Sequence, residues 1–535
     1  MARSTTSGRD VVDATPEVLP RALPVRGVGW LQLACAVLAG LAVGAGFEPI
    51  GWWPATIAGT AALVGLVRRV RRPAFATTLG YAFGLGLTSL TLNWMANIHP
   101  AVAVGLIAFM SCWYALLGLM LHLAGRSRWW PLLAAVSWVA VDFASARFPF
   151  GGFGWLRLGY PMLDSPLAGL LPLVGVAGLG SATALLAALL AWVISGRSRR
   201  RVLAAGALTV AIASASAVGW TQPPAASDGV ATLGWVQGGA PGGGVYGLGP
   251  PRTITTNQAA ATVALAQEVA AGRQPTPDFV VWPENSTDLD PDGDAVTSAL
   301  VRDAVSAIGR PVLVGSILDG PGSGERRTAS QWREPDGTVG PTYVKRSIVP
   351  FGEWIPFRDF LLPLVPILEY VGDQSVAGTE PGLLDVELAD GRPVTLGVLV
   401  CFDVAFDPVV HDVAAADLLV VQSSNAMYQG TGQIEQQFAI TRARAAELRR
   451  EILVVTTSGV SGLIGPDGAA LMRETGPEAA KGVVKIPLRT GVTTASWLAG
   501  PLELGLAVLA GAWLAALLVE PTRRRRAVPR TPSLP

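Results

Sequence analysis

The chain has 535 residues, half of them hydrophobic and only 15% charged. A soluble protein carries roughly 25% charged residues, so this balance points to a membrane protein, with length for more than one domain. Net charge is +1, which gives no electrostatic footprint for nucleic acid. Cys35, Cys112 and Cys401 lie too far apart for a disulfide framework or zinc site, and His99, His122 and His411 have no metal-binding spacing.

A mixed-charge leader (Arg9, Asp10, Asp13, Glu17) precedes the first apolar run. Apolar segments near 30–46, 52–67, 75–95, 101–123, 130–145, 167–195 and 203–220 predict seven spanning helices, and 497–519 an eighth. Each approaches the ~20 apolar residues that a span requires. Charges test the count. Arg21 and Arg26 precede the first helix, and Arg68, Arg69, Arg71 and Arg72 follow the second. Arg126 and Arg128 follow the fourth, Arg197 and Arg199 to Arg201 the sixth, and Arg523 to Arg526 the eighth. Every second connection is basic, which is the positive-inside pattern with both termini in the cytoplasm. A cleaved secretory signal is the competing reading of the first segment; the long leader and the lack of a small-residue cleavage site favour a retained helix.

The expected organisation is a cytoplasmic tail (1–29), a seven-helix membrane region (30–220), an extracytoplasmic domain (221–496), a last transmembrane helix (497–519) and a basic cytoplasmic tail (520–535). In the outer loop at 148–166, "FPFGGFGWLRLGYPMLDSP" reads as an interfacial hairpin that guides lipid or as a tight connector with an aromatic belt.

Within 221–496, "DFVVWPEN", "RPVLVGSIL", "VTLGVLVCFD", "DLLVVQSSN", "ILVVTTSGVSGLIG" and "GVVKIPL" are strand candidates. "TTNQAAATVALAQEVAAG" and "GQIEQQFAITRARAAELRRE" read as amphipathic helices. Alternating strands and helices imply a layered α/β domain. Lysine occurs only at 345, 481 and 485 in a chain that otherwise uses arginine. Lys481 and Lys485 lie near a late surface strand and solvate it. Lys345 lies in a loop rich in aromatics and prolines, where the mobile pKa of an ammonium has a use that arginine cannot supply. Glu284 ends one buried run and Cys401 another. Taken alone, Glu284 fits a helix N-terminal acid or a surface loop equally, and Cys401 fits a packing residue. His411, ten residues past Cys401 in a helical stretch, gives little support to a Cys–His pair. A Cys–Glu–Lys set needs no histidine: the carboxylate takes the thiol proton, the ammonium stabilises thiolate and oxyanion, and the sulfur attacks a carbonyl.

"VVWPENS", "YVKRSIVPFGEWIPF" and "VLVCFDVAF", in that order, resemble the Glu, Lys and Cys motifs of the nitrilase (carbon–nitrogen hydrolase) superfamily. With eight apolar segments around them, residues 30–519 resemble its membrane-embedded branch, the apolipoprotein N-acyltransferases. The resemblance implies an α-β-β-α sandwich outside the membrane. It implies transfer of an acyl chain from a phospholipid, through a cysteine thioester, to the α-amino group of an S-diacylglyceryl-cysteine lipoprotein. By motif match, Glu284 is the general base, Lys345 the oxyanion and thiolate stabiliser, and Cys401 the nucleophile. The backbone N–H of Phe402 completes the oxyanion hole, and Glu353 is a second, positioning glutamate. Tyr246 falls where relatives have a tryptophan in a mobile loop, and Tyr246, Asp403 and Tyr428 are the substrate-binding candidates the resemblance implies. Relatives often have Tyr-Glu where this chain has Phe402 and Asp403, and Asp-Ala-Trp where it has Ala426, Met427 and Tyr428, next to the lipid entrance. Arg442 and Arg444 read as structural, pairing with Glu447 or nearby acids. The partners are the phospholipid donor, the lipoprotein acceptor and membrane lipids, with no nucleic acid and no cofactor, and a monomer suffices. Two rivals stand beside this reading: a membrane-tethered amidase that uses the same triad to hydrolyse small amides, and a transporter or receptor with an outer binding domain and Asp142 on its path.

Overall fold

The computed structural model describes residues 26–526, apart from 197 and 245. The expectations that rest on residues 1–25, Arg197, the side chains of Arg523 to Arg526 and residues 527–535 lie outside that description.

Seven helices come first: α1 (Arg26–Gly44), α2 (Trp53–Arg68), α3 (Pro73–Thr91), α4 (Pro100–Ala124), α5 (Trp130–Ser145), α6 (Leu171–Ile194) and α7 (Arg199–Thr221). A proline in the first turn of α2 to α6 sets where each begins, because its missing N–H is one the first turn leaves unpaired anyway. These helices and one C-terminal helix coincide with the eight expected apolar segments. Among the described residues, Pro100–Ala124, Pro166–Ile194, Arg199–Thr221 and Thr494–Leu517 are long and apolar enough to cross a membrane by length and composition; Gly29–Gly44 and Trp130–Ser145 are apolar but shorter. α6 is broken at Gly175, whose φ of 67° and ψ of −174° are far from helical. A Cβ there would lie 2.6 Å from a carboxylate oxygen of Glu447 and 2.7 Å from Ala499, so only glycine lets the three segments meet.

An α/β unit follows: β1 (Ser227–Gln237), α8 (Thr253–Ala270), β2 (Phe279–Val281), α9 (Ala295–Ile308), β3 (Val312–Asp319), β4 (Glu325–Arg333), β5 (Val339–Val344), α10 (Arg358–Leu361), β6 (Gln374–Ser375), β7 (Leu383–Glu387), β8 (Pro393–Val400), α11 (Asp407–Asp412), β9 (Leu418–Ser423), α12 (Gln433–Leu448), β10 (Ile452–Thr456), β11 (Gly459–Ile464), β12 (Ala470–Gly476) and β13 (Ala480–Arg489). α13 (Thr494–Arg526) ends the described chain. One sheet runs β13-β1-β2-β3-β4-β5, with β6 beside β4, and the other β12-β11-β10-β9-β8-β7. β1-β2-β3 and β8-β9-β10 are parallel. The run "ILVVTTSGVSGLIG", read as one strand candidate, is an antiparallel pair, β10 and β11.

Strand alternation sends Leu233, Phe279 and Trp332 from one sheet and Val398, Val420 and Leu453 from the other into a shared core. Each such side chain contributes about 1.5–3 kcal/mol of burial. α8 and α9 cover the outer face of the first sheet through Leu265, Val301 and Val305. α11 and α12 cover the second, and their core is continuous with that of the helical bundle. The layers are therefore α-β-β-α. Buried Gln422 of β9 donates to the carbonyl of Trp282 at 2.5 Å, which ties the end of β9 to the end of β2 across the interior.

Gln436 of α12 joins the two parts. Its carbonyl accepts from Trp94 Nε1 (3.1 Å) and Trp155 Nε1 (2.8 Å), and its amide donates to the carbonyls of Glu48 and Thr91 (3.0 Å each). The far end of the bundle is basic: Arg68 lies over the Trp130 ring at 3.8 Å and donates to Ser195 Oγ at 3.3 Å. α3 runs between the two ends, from Arg72 to Thr91, a rise of about 28 Å for its length.

Candidate active site

Three strands end where the chemistry-bearing residues gather, each followed by a residue in the left-handed region. Asn285 (φ 51°) follows Glu284 after β2, Cys401 (φ 51°) follows β8, and Asn425 (φ 54°) closes the turn after β9. For a non-glycine residue this costs roughly 1–2 kcal/mol, and such strain collects where a side chain must be aimed. The site thus lies at the C-terminal ends of parallel strands, where open α/β sheets leave a crevice.

Lys345 is 1% exposed and Glu284 3% exposed. The Lys345 ammonium donates to Glu284 Oε1 at 2.9 Å and to Glu353 Oε1 at 3.0 Å. The second oxygen of Glu284 accepts from the Ser424 N–H at 2.9 Å, and that of Glu353 from the Val349 N–H at 2.7 Å. Glu284, from a distant part of the chain, therefore forms one hydrogen-bonded set with Lys345 and Glu353. Cys401, half-buried, stands close enough for all three charges to act on its thiol. Burial alone would lower the Lys345 pKa; Glu284 and Glu353 outweigh it and hold the ammonium well above its ordinary range. Burial raises the Glu284 carboxyl, and Lys345 only partly offsets this.

The thiol departs from the sequence expectation. Burial and the Glu284 charge push Cys401 up to about 12, against the pull of Lys345 and a hydrogen bond from Ser423. One ammonium faces two carboxylates, so the set carries net negative charge and does not favour a second anion. Cys401 is therefore a thiol at rest.

Asp403 acts as a clamp, a role its sequence position did not reveal. Its carboxylate accepts from Tyr343 OH (2.8 Å) and the N–H groups of Ser347 (2.9 Å) and Val400 (3.0 Å). It ties the turn after Cys401 to the segment that carries Lys345. Phe402 points away from the charges, its ring 5.8 Å from Phe153 and 6.1 Å from Trp155. Tyr428 packs edge-on against Trp94 at 5.2 Å, at the seam with the bundle. Tyr246 is 76% exposed, and its ring packs on Tyr370 rather than on the Cys–Glu–Lys set. His411 pairs with Glu447 at 2.9 Å, Arg442 with Asp164 at 2.7 Å and Lys481 with Glu268 at 3.1 Å.

Residues 39–189 match the family model described as the apolipoprotein N-acyltransferase N-terminal domain. An apolipoprotein N-acyltransferase of Mycolicibacterium smegmatis is 33% identical over 526 residues, spanning 93% of this chain and 86% of its own length. One from Nitrosomonas europaea is 28% identical over 464 residues, spanning 83% of this chain and 88% of its own. Among solved structures, an amidase from Nesterenkonia sp. AN1 aligns with 50% of this chain and 92% of its own at 18% identity and a TM-score of 0.35, a likeness too distant to argue from.

Proposed function

The chain belongs to the apolipoprotein N-acyltransferase family, and from that premise we propose that Cys401, Glu284 and Lys345 perform a two-step acyl transfer. The Cys401 sulfur attacks the sn-1 ester carbonyl of a phospholipid while Glu284 takes the thiol proton. Lys345 and the Phe402 N–H stabilise the oxyanion. The ester C–O bond breaks, Glu284 returns the proton to the departing lysophospholipid, and a thioester remains. The free α-amine of a diacylglyceryl-cysteine lipoprotein then attacks the thioester. Glu284 takes the amine proton and passes it to the leaving thiolate, which restores the enzyme. Glu353 positions Lys345, and Asp403 positions the nucleophile turn. Tyr246 and Tyr428 contact substrate at the lipid entrance.

One observation carries this reading: a buried ammonium held 2.9 Å from Glu284 and 3.0 Å from Glu353 at the strand end that bears Cys401. The proposed topology has eight spans, both termini in the cytoplasm, and residues 221–496 outside the inner membrane face. It is supported by the basic clusters lying at the end of the bundle away from the α/β unit. Both lipid-anchored substrates would then meet at a surface that limits water, which matters because water competes with the amine for the thioester.

The test is mass spectrometry of the purified protein after incubation with isotopically labelled phosphatidylethanolamine. The expected result is one labelled acyl group on Cys401 in the unaltered protein and none in Cys401→Ala. An acyl-enzyme in the alanine variant would rule the mechanism out.

A further inference from the structure

A second set of charges lies behind the nucleophile turn, where the mechanism gives it no part. Glu503 on α13, Arg157 in the connection between α5 and α6, Asp407 at the start of α11, and Arg444 and Glu447 on α12 are all buried. Arg157 donates to Asp407 at 2.6 Å and, through its other terminal nitrogen, to Glu503. Arg147 donates to the second oxygen of Glu503 at 2.8 Å. Arg444 donates to the second oxygen of Asp407 at 2.6 Å, to Glu447 at 2.5 Å, and through Nε to the carbonyl of Val404 at 2.8 Å. Val404 is three residues past Cys401. The chain of contacts therefore runs from a helix of the bundle, through the side chains of Glu503, Arg157, Asp407 and Arg444, to the turn that carries the sulfur.

Arg147, Arg157 and Arg444 face Asp407, Glu447 and Glu503, and His411 pairs with Glu447 as well. Burying each still costs several kcal/mol, and an apolar cluster of similar volume would stabilise the fold as well or better. What such a network supplies is fixed geometry. The connection that carries Arg157 also presses on the same turn: a Cβ on Gly154 would lie 2.6 Å from the carbonyl oxygen of Ala405. We infer that Arg157 and Glu503 are positioning residues for Cys401, so that the helical bundle sets where the nucleophile stands. This rests on Cys401 being the nucleophile.

The experiment uses the full-length protein in detergent with labelled phosphatidylethanolamine. Arg157→Gln and Glu503→Gln are compared with the unaltered enzyme for the rate constant of Cys401 acylation at saturating donor, the donor concentration at half-saturation, and the final fraction acylated. Glu503→Gln keeps shape and a hydrogen-bond acceptor, so it decides alone if Arg157→Gln does not accumulate. The expected result is a rate constant at least about tenfold lower in each variant, with half-saturation moved less than about threefold. The double variant should be no slower than the slower single one, because the two act as a unit. A normal rate constant with a reduced final fraction would mean a structural role only and would overturn the inference, as would a change confined to half-saturation. Failure of the unaltered enzyme to acylate would instead overturn the nucleophile reading, and this inference with it.

Discussion

Replacing Lys345 with methionine removes the ammonium and keeps most of the apolar stem. Glu284, 3% exposed, then faces Glu353 with no cation between them. Removing one partner of a buried ion pair typically costs about 3–5 kcal/mol. The pH dependence follows from the same contacts. Burial holds the Glu284 carboxyl above its ordinary value of 4.5, and Lys345 is the main opposing influence; without it, burial and Glu353 both push upward. A carboxyl raised on folding contributes its full stability below its unfolded pKa and loses it as pH rises through the folded pKa. The variant's deficit relative to the unaltered protein should therefore be larger at about pH 7.5 than at about pH 5.5. Thermal unfolding of the two proteins in the same detergent at those pH values measures this. A deficit that is equal at both, or larger at the acid end, would refute the assignment of Lys345 as the counter-charge of Glu284.

Gly154→Ala should slow acylation and cost about 1–3 kcal/mol, because the added Cβ meets a backbone oxygen of the nucleophile turn at 2.6 Å and backbone cannot swing aside; melting temperature and acyl-enzyme formation check it. With Cys35 and Cys112 replaced by alanine, alkylation of the remaining thiol by iodoacetamide should rise roughly tenfold per pH unit between about pH 7 and about pH 9, because burial holds Cys401 protonated, up to about 12. A plateau by about pH 8 would mean that a thiolate exists at rest.

The Cys–Glu–Lys set was legible because it breaks local rules. Lys345 is an exception in an arginine-using chain, and Glu284 and Cys401 end apolar runs. The parallel strands were legible as well, since burial on both faces makes them continuous apolar runs. β4, "ERRTASQWR", was not, because its buried run from Thr328 to Trp332 is mostly polar and shows neither an apolar stretch nor an alternation. The β10–β11 hairpin hid because both its strands are buried and only the turn at Thr457 and Ser458 divides them; Gly459, at φ 117°, makes that turn possible. Asp403 could not be read from its neighbours: two of its three donors, Tyr343 of β5 and Ser347 in the segment after it, are brought to it only by the fold. The Arg157–Glu503 pair was hidden for the same reason, with its members 346 residues apart.

The apolar layer under α12 belongs to the α/β unit and to the helical bundle at once. A ribosome delivers the bundle's last member, α13, only after the whole sandwich has been made. Until then α5 and α6 lack the helix that packs against them, and Arg157 has Asp407 but not its second acid. Maturation of this enzyme is thereby coupled to completion of its own translation: a polypeptide halted before residue 503 would hold every residue of the Cys–Glu–Lys set and still lack the strut behind it.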